Sequence, residues 1–412
     1  MNADQKTTAP GVTDRPLPRV LLVTKFYRDY GGDCIHVRAL ERLLRVHGHE
    51  VAVMTMEQPD TAVPTEGVRM YTVSPVNPTG PLGDKLRAVP RIFGGGMNRA
   101  VKDALDSFRP DVVHLHNVHS YLSPAIARIA HGRGIRVVWT LHDYKLICPA
   151  YTMMRRGAVC AECLDSPLSV VRGRCMKGSL AASALSCAEA LWWNAGRLAR
   201  WTDAFICPSE FMRAMMERGG YPPENLITLP NFLPTAPGCG GDERSGVCYI
   251  GRLSAEKGLY GLVEAARKGK WALVLAGDGP EREGLEKAAE GCGNITFAGR
   301  LTPAECAALL VRSRVSVVPS VWYENCPLSV IESLCAGTPV AAAQIGGLPE
   351  LIDSPMAGRV FRHDSPDALL DAVNELYDSD VDRRRLAVES GVRFSHEAYY
   401  KRYLALLAGL EQ

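Results

Sequence analysis

The sequence has no apolar run of the roughly 18 to 20 residues that a membrane-spanning helix needs. Its polar opening, MNADQKTTAPGVTDRPLPR, lacks the apolar stretch of a signal peptide, so we expect a cytoplasmic protein. An excess of one charge is missing too, because 47 Lys and Arg balance 45 Asp and Glu and leave a formal net charge of +2. So small a charge on 412 residues creates no overall field for a polyanion, which argues against nucleic acid as a partner.

The composition is that of a folded, water-soluble chain. Hydrophobic residues make up 47% and charged residues 22%, close to the globular average, which excludes wholesale disorder. At roughly 150 residues per domain, the length predicts two or three domains.

Short β-rich apolar runs alternate with helical patterns in both halves of the chain. This alternation predicts an α/β fold of two doubly wound, mostly parallel, Rossmann-like domains that face each other across a cleft. We expect the chemistry in the loops at the carboxyl ends of the strands. The runs are residues 19–24, 51–56, 111–116, 135–140 and 203–208, and then 247–252, 271–279, 294–299, 314–320 and 338–343.

A segment rich in proline and glycine, PNFLPTAPGCGGDERS at 230–245, predicts a linker between the two domains. We therefore predict a mobile tail at 1–18, an acceptor domain at 19–229 with a cysteine-containing insertion at about 148–178, and a donor domain at 246–394. Residues 395–412 predict a final helix, capped by Ser395, that crosses back to the first domain.

Two glutamates eight residues apart mark the most informative stretch, PSVWYENCPLSVIESLCAGTP at 319–339. With Glu324 in the loop and Glu332 in the helix, a rise of 1.5 Å per residue separates them by roughly 7 to 8 Å along the axis. That is about the distance from the pyranose to the ribose of a nucleotide sugar. The free amides of Asn325, Cys326 and Leu328 would lie between them at the start of a helix, with Pro327 in its first turn, where a diphosphate is stabilised.

The letters around these glutamates, P-S, E-N-C-P-L and C-A-G-T-P-V, resemble the E-x7-E segment of retaining GT-B glycosyltransferases, specifically glycosyltransferase family 4. GRLSAEKG at 251–258 is similar to that family's donor-diphosphate loop, which makes Arg252 and Lys257 the predicted cations. The resemblance implies a nucleotide-diphosphate sugar donor, with Glu324 on the sugar and Glu332 on the ribose. It also implies retention of configuration, without a protein nucleophile or a catalytic metal.

The first domain offers further candidates at its predicted strand ends. Gly31–Gly32 lets backbone amides approach a ligand, and His142 could hydrogen-bond the donor sugar or polarise the attacking hydroxyl. Asp143 could orient His142 or contact the acceptor. His116 and Asn117 are weaker candidates for the acceptor side, by resemblance of DVVHLHN to the family.

Four cysteines form a symmetric set, with eleven, two and eleven residues between successive members. We predict that they hold the insertion together as a structural staple. The sequence leaves three states of the cysteines open: ligands of a structural zinc, disulfides and free thiols. The set consists of Cys148, Cys160, Cys163 and Cys175.

The resemblance further implies a glycan or lipid-linked acceptor, and an envelope or extracellular polysaccharide as the product. Basic and apolar stretches at 85–102 and 148–178, together with the tryptophans at 192, 193 and 201, could contact the inner face of the cytoplasmic membrane. Two alternatives remain open: a nucleotide-sugar epimerase on the same fold, and a non-catalytic sugar-nucleotide-binding scaffold at the membrane.

Overall fold

A computed structural model describes residues 16–76, 80, 82–235, 237–241, 243–269 and 271–410. Most of the predicted mobile tail, residues 1–15, lies outside the described residues.

The first domain is built on a parallel sheet of seven strands. Its central strands are buried along their whole length, which is why they read as continuous apolar runs rather than alternating patterns. The strands of this domain are β1 (Val20–Val23), β2 (Val51–Met56), β3 (Arg69–Val73), β4 (Val112–Leu115), β5 (Arg136–Thr140), β6 (Met154–Arg155), β7 (Ala158–Val159), β8 (Ala204–Cys207) and β9 (Leu226–Thr228). The sheet order is β3-β2-β1-β4-β5-β8-β9, and β6 and β7 form a separate antiparallel hairpin within the insertion.

Helices cover both faces of this sheet, as a doubly wound fold requires. They are α1 (Gly32–Val46), α2 (Leu82–Ile92), α3 (Asn98–Phe108), α4 (Ala125–His131), α5 (Glu162–Asp165), α6 (Ser169–Arg172), α7 (Leu180–Trp192), α8 (Ala195–Arg200) and α9 (Glu210–Arg218).

The second domain repeats the arrangement with a parallel sheet of six strands in the order β12-β11-β10-β13-β14-β15. Its strands are β10 (Val247–Ile250), β11 (Leu273–Ala276), β12 (Ile295–Gly299), β13 (Val315–Val318), β14 (Val340–Ala343) and β15 (Gly358–Phe361). Its helices are α10 (Leu259–Lys268), α11 (Arg282–Ala288), α12 (Pro303–Arg312), α13 (Leu328–Cys335), α14 (Leu348–Leu351), α15 (Pro366–Asp378) and α16 (Arg383–Arg393). The predicted fold of two doubly wound α/β domains is confirmed.

The last helix, α17 (His396–Gly409), lies against the first domain. Ser395 caps it by accepting a hydrogen bond from the amide of Ala398. The hydroxyl of Tyr400 lies 2.9 Å from His49 Nε2, and the hydroxyl of Tyr403 lies 3.0 Å from His114 Nδ1. The end of the chain thus packs back against the first domain. Among the described helices, none is both long and apolar enough to cross a bilayer.

Candidate active site between the two sheets

The sheet order places the candidate residues at two equivalent points of the fold. In each sheet successive strands are added first to one side and then to the other, and this order reverses between two adjacent parallel strands: β1 and β4 in the first sheet, β10 and β13 in the second. Open α/β sheets bind ligands outside the carboxyl ends of their strands at such switch points. Gly31, His116, Lys257 and Glu324 all lie in the loops that follow these four strands.

Lys257 and Glu324 form a direct ion pair at the second switch point. The ammonium of Lys257 lies 2.6 Å from Glu324 Oε1, which also accepts a hydrogen bond of 2.6 Å from the Ser320 hydroxyl. The Glu324 carboxyl is almost entirely buried, whereas a fifth of the Lys257 side chain is exposed. Burial alone would raise the pKa of Glu324, but the charge of Lys257 and the two hydrogen bonds hold it below its usual value. The glutamate is therefore ionised at neutral pH.

A tight turn brings Lys257 into this contact. Residues 251–258 leave β10, pass through a short 3-10 helix at Ala255–Lys257 and end at Gly258, whose φ is +67°. A Cβ at Gly258 would lie 2.0 Å from the carbonyl oxygen of Pro319, so glycine is needed for this close approach. The amide of Val321 donates to the Glu256 carbonyl and joins the turn to the segment that carries Glu324. Arg252, in the same turn, is exposed, and its guanidinium contacts no acceptor in the described part of the chain.

Unpaired backbone amides begin α13, next to the ion pair. Pro327 occupies the N-cap position, and the amides of Asn325, Cys326 and Leu328 have no hydrogen-bond acceptor within the described residues. Helix starts of this kind favour anions. The Cys326 side chain is buried in the core, so only its backbone is available to a ligand.

Glu332 lies on α13, half-buried. Burial raises the pKa of its carboxyl to about 7, so the side chain titrates near neutrality. Hydroxyl donors of a ligand would favour its ionised form.

On the first domain, Gly31 caps α1 with a φ of +87° and is followed by Gly32 and Asp33. The Asn117 side chain, which follows β4, donates to the Asp33 carboxylate at 2.8 Å. Burial would raise the pKa of Asp33, but electrostatic interactions with His142 and Lys25 and the Asn117 hydrogen bond hold it below its usual value. Asn117 thus orients an ionised carboxylate beside the Gly-Gly loop.

His142 follows β5 with a half-buried ring. Burial lowers its pKa, and the charges of Asp33 and Asp143 oppose this effect only in part. The ring is therefore neutral at pH 7. Asp143 accepts a hydrogen bond of 2.9 Å from the amide of Lys145, which fixes the turn after His142.

His116 does not lie where the sequence suggested, on a surface that an acceptor could reach. Its side chain is 0% exposed, and its Nδ1 lies 3.0 Å from His142 Nε2. The structure therefore places His116 behind His142 rather than on the cleft surface, because the alternation of β4 continues one residue past the strand into the protein interior.

Asn325 joins the two domains. Its Nδ2 donates to the carbonyl of Leu141 at 2.9 Å, and its Oδ1 accepts from the Ser209 hydroxyl at 2.8 Å. These bonds connect the residue after Glu324 to the residue before His142. The predicted candidates on the two domains are thereby held together.

Sequence reasoning missed three contributors. Asp33 directly follows the Gly-Gly pair, and that position was the available signal. Glu350 on α14 accepts hydrogen bonds of 2.7 Å from the amides of Glu210 and Phe211, at the start of α9 in the other domain. Gly346–Gly347 lies so close to the Glu324 segment that a Cβ at either glycine would be within about 2.2 Å of a carbonyl there.

The four cysteines of the insertion lie near one another. The thiols of Cys148 and Cys163 are hydrogen-bonded, which lowers the pKa of Cys148 to about 7. The same hydrogen bond, followed by burial and the neighbouring thiols of Cys148, Cys175 and Cys160, raises the pKa of Cys163. All four are free thiols, and within the described ranges no three His, Cys, Asp or Glu side chains are arranged to hold a metal ion. The four thiols thus lie close together, but in this structure they are not arranged as the ligands of a metal ion.

Two facing doubly wound domains, with charged loops at both switch points, define the chain as a GT-B protein. The family model described as "Glycosyl transferase 4-like domain" matches residues 31–231, and the one described as "Glycosyl transferases group 1" matches residues 241–391. The chain therefore belongs to the GT-B glycosyltransferases of family 4, and it is an enzyme of that class.

Similar proteins span nearly the whole chain. A glycogen synthase of Mycobacterium tuberculosis is 27% identical over 369 residues, which cover 82% of this chain and 81% of the synthase. The structure of sucrose-phosphate synthase from Thermosynechococcus elongatus matches with a TM-score of 0.70 at 19% identity, covering 96% of this chain and 99% of that one. Anabaena HepE in complex with UDP-glucose matches with a TM-score of 0.68 at 14% identity, over 95% of this chain and 100% of HepE.

Proposed function

We propose that this glycosyltransferase moves a sugar from a nucleotide-diphosphate sugar to a glycan or lipid-linked acceptor, with retention of the anomeric configuration. The observation that carries the proposal is the Lys257–Glu324 pair beside the unpaired amides at the start of α13. A cation, free amides and a carboxylate within one loop cluster match the diphosphate and the hydroxyls of such a donor. The fold shared with HepE, whose structure holds UDP-glucose, supports the same donor class.

In this proposal the second domain binds the donor. The diphosphate lies against Lys257, Arg252 and the amides of α13, while Glu324 accepts hydrogen bonds from sugar hydroxyls. Glu332 accepts them from the ribose. When the bond between the anomeric carbon and the phosphate oxygen breaks, negative charge grows on the leaving diphosphate. Lys257, Arg252 and the amides of α13 already contact this group and stabilise the charge.

The first domain presents the reacting sugar to the acceptor. Gly31–Gly32 allows a close approach of the backbone, and His142, oriented with Asp143, contacts the donor sugar or the acceptor hydroxyl. That hydroxyl attacks the anomeric carbon from the face that the diphosphate leaves, and a phosphate oxygen takes its proton. The new bond therefore has the configuration of the old one, and no protein nucleophile is needed.

We propose that this chemistry needs no divalent cation. A metal in nucleotide-sugar transfer neutralises the diphosphate. Here the side chains of Lys257 and Arg252 and the helix amides supply positive charge at the same place. Three aspartates resemble a metal-binding Asp-x-Asp string, but they lie between two helices far along the chain: Asp378 ends α15, Asp380 lies in the following loop, and Asp382 is the N-cap of α16.

We further propose that the acceptor belongs to an envelope or extracellular polysaccharide and is reached at the inner face of the cytoplasmic membrane. An apolar and basic surface of the first domain supports this. Trp192 is 47% and Leu191 54% exposed, Phe93 packs edge-on against Trp192, and the Arg197 guanidinium lies 5.0 Å from the Trp192 ring. Aromatic rings beside arginines suit the headgroup region of a bilayer. Trp193, in contrast, is buried and contributes only to the core.

A donor panel followed by a transfer assay tests the proposal. We expect one nucleotide-diphosphate sugar to raise the melting temperature and to be consumed only when an acceptor lipid or glycan is added. Glu324→Gln, which keeps the size of the side chain, should abolish transfer. NMR of the product should show the anomeric configuration of the donor. Conversion of the donor alone to another sugar would instead identify an epimerase, and binding without transfer to any acceptor would favour a scaffold.

A further inference from the structure

Three histidine rings stack from the active site into the first domain. The ring centroids of His114 and His116 lie 4.4 Å apart at 23°, and those of His116 and His142 lie 5.2 Å apart at 22°. The inner end of the stack is fixed, since His114 Nε2 lies 2.8 Å from the Thr140 hydroxyl and its Nδ1 lies 3.0 Å from that of Tyr403. Both of its nitrogens are therefore occupied.

His116 lies in the middle of the stack, and both of its ring nitrogens are shielded from solvent. Its Nδ1 contacts His142 Nε2 at 3.0 Å, and its backbone carbonyl accepts the indole N–H of Trp139 at 2.8 Å. Its Nε2 is buried and has no partner in the described part of the chain. Because the side chain is 0% exposed, it can act on a ligand only through His142.

We propose that His116 is a positioning residue that fixes the tautomer of His142. The proton of His116 sits on Nδ1 and is donated to His142 Nε2, so the proton of His142 sits on Nδ1. This inference rests on the proposed function, because it takes His142 to be the ring that faces the donor sugar and the acceptor.

The unpartnered nitrogen of His116 decides the direction of this hydrogen bond. Two neutral imidazoles in contact need one donor and one acceptor. If His142 were the donor, the proton of His116 would sit on Nε2, as a buried N–H without an acceptor. Orphaned buried N–H groups are rarer in proteins than under-used acceptors. With the proton on Nδ1, only a lone pair is left without a partner.

The same bond determines what His142 can do. Its Nε2 is occupied as an acceptor, and its Nδ1 has no hydrogen-bond partner among the described residues. The half-buried ring therefore presents an N–H, not a lone pair, to the cleft. Such a group donates to an oxygen of the donor sugar or acceptor and cannot remove the proton of the attacking hydroxyl. That proton is left to the leaving phosphate, in agreement with the proposed mechanism.

The surroundings of His142 keep its ring neutral. His36 packs edge-on at 5.2 Å, and the charged groups that act on His142 are Asp33, Asp143 and Lys25. Burial lowers the pKa values of His36, His114 and His116, so these three neighbouring rings are also neutral at pH 7. Protonation of His142 at Nε2 would break the hydrogen bond that this nitrogen accepts from His116. The hydrogen bond from His116 therefore also lowers the pKa of His142.

NMR of histidine labelled with ¹⁵N tests the tautomer directly and needs no assay. Long-range proton–nitrogen spectra distinguish Nδ1–H from Nε2–H rings, and the His142→Gln protein assigns the His142 signals. We expect His142 and His116 both to carry the proton on Nδ1 at pH 7.5. A proton on His142 Nε2 would overturn the proposal.

Variants of His116 provide a second, functional test. His116→Asn keeps an N–H near the position of Nδ1, whereas His116→Leu removes the donor. We expect His116→Leu to lower kcat about tenfold with little change in donor affinity. The acid limb of its pH–rate profile should move to higher pH, and His116→Asn should restore both properties toward wild type. His131→Asn, on the surface of α4, should behave as wild type.

Equal losses in the Asn and Leu variants with an unchanged pH profile would show a packing role and contradict the proposal. Donor binding measured on the same samples keeps this failure separate from a failure of the proposed function. If the wild-type protein binds a nucleotide sugar and Lys257→Met does not, the assigned donor site stands whatever the tautomer of His142.

Discussion

Lys257 Nζ and Glu324 Oε1 lie 2.6 Å apart, although the residues are 67 positions apart in the sequence. The cation assigned to the diphosphate and the carboxylate assigned to the sugar thus neutralise each other in the unliganded protein. Donor binding in the proposed function would exchange these partners: the diphosphate draws the ammonium, and sugar hydroxyls take its place on the carboxylate. The ion pair therefore keeps both side chains in position for donor binding and leaves no buried charge unpaired.

Removal of the cation should damage both stability and donor binding. Lys257→Met leaves the Glu324 carboxylate buried without its counter-ion, which costs about 3 kcal/mol when a buried pair is broken. We expect a lower melting temperature and loss of donor binding by calorimetry. Lys268→Met is the matched control, because the ion pairs of Lys268 with Glu264 and Asp367 are half exposed and contribute little. Donor affinity unchanged in Lys257→Met would remove Lys257 from the site.

Glu332 should make donor binding depend on pH. Its folded pKa is raised to about 7, so the free protein holds a proton that the unfolded chain would lose near pH 4.5. This group therefore stabilises the fold less as pH rises from about 4.5 to 7. Ribose hydroxyls that donate to the carboxylate favour its ionised form. Affinity for the intact nucleotide sugar should thus weaken as pH falls below 7, by up to about tenfold per pH unit.

Calorimetric titrations between pH 5.5 and 8 measure this dependence, and Glu332→Gln isolates it. We expect the affinity of the variant to be nearly flat across that range. A slope shared by both proteins would assign the titration to another group.

The hydrogen bonds of Asn325 between the domains should matter more for turnover than for stability. Asn325→Ala removes two of them, about 1 kcal/mol each. We expect a similar loss of stability in Asn294→Ala, since Asn294 Nδ2 donates to the carbonyls of Ala266 and Trp271 within the second domain. Only Asn325→Ala should also lower kcat, by about tenfold, because it separates the loops of Glu324 and His142. Equal kcat values in the two variants would contradict this role.

The cysteine cluster should act as a structural staple. The insertion contains only two-residue strands and four-residue helices, too little to build its own core. We expect Cys163→Ser to lower the free energy of unfolding by at least about 1 kcal/mol, and Cys292→Ser, outside the cluster, to have little effect. Metal analysis of the purified protein tests the predicted zinc. One equivalent of zinc that is lost in Cys163→Ser would establish it, and four titratable thiols without metal would refute it.

The sequence was enough to predict the central strands of each sheet, but it predicted the edge strands much less well. The run 51–56 became β2 without a change of bounds, because a strand buried on both faces must be apolar throughout. Strands β3, β9 and β15 were missed, since exposed and polar residues interrupt them and their pairing depends on neighbours distant in the chain.

The candidate site shows the same limit. Strand ends and glycine-rich turns are local signals, so Gly31, Lys257 and Glu324 could be proposed from the sequence. No local signal tells that Lys257 pairs with Glu324, that His116 lies behind His142, or that Glu350 caps a helix of the other domain. These contacts exist only after two sheets have formed and the domains have met.

In the proposed function, side-chain cations and helix amides hold a nucleotide sugar between the domains without a divalent ion. Calorimetric titration of the preferred nucleotide sugar, in EDTA and again in magnesium, tests it most directly when wild type and Lys257→Met are compared. We expect the same affinity for wild type in both buffers and no measurable binding by Lys257→Met. Binding that requires magnesium, or that persists unchanged in Lys257→Met, would contradict it.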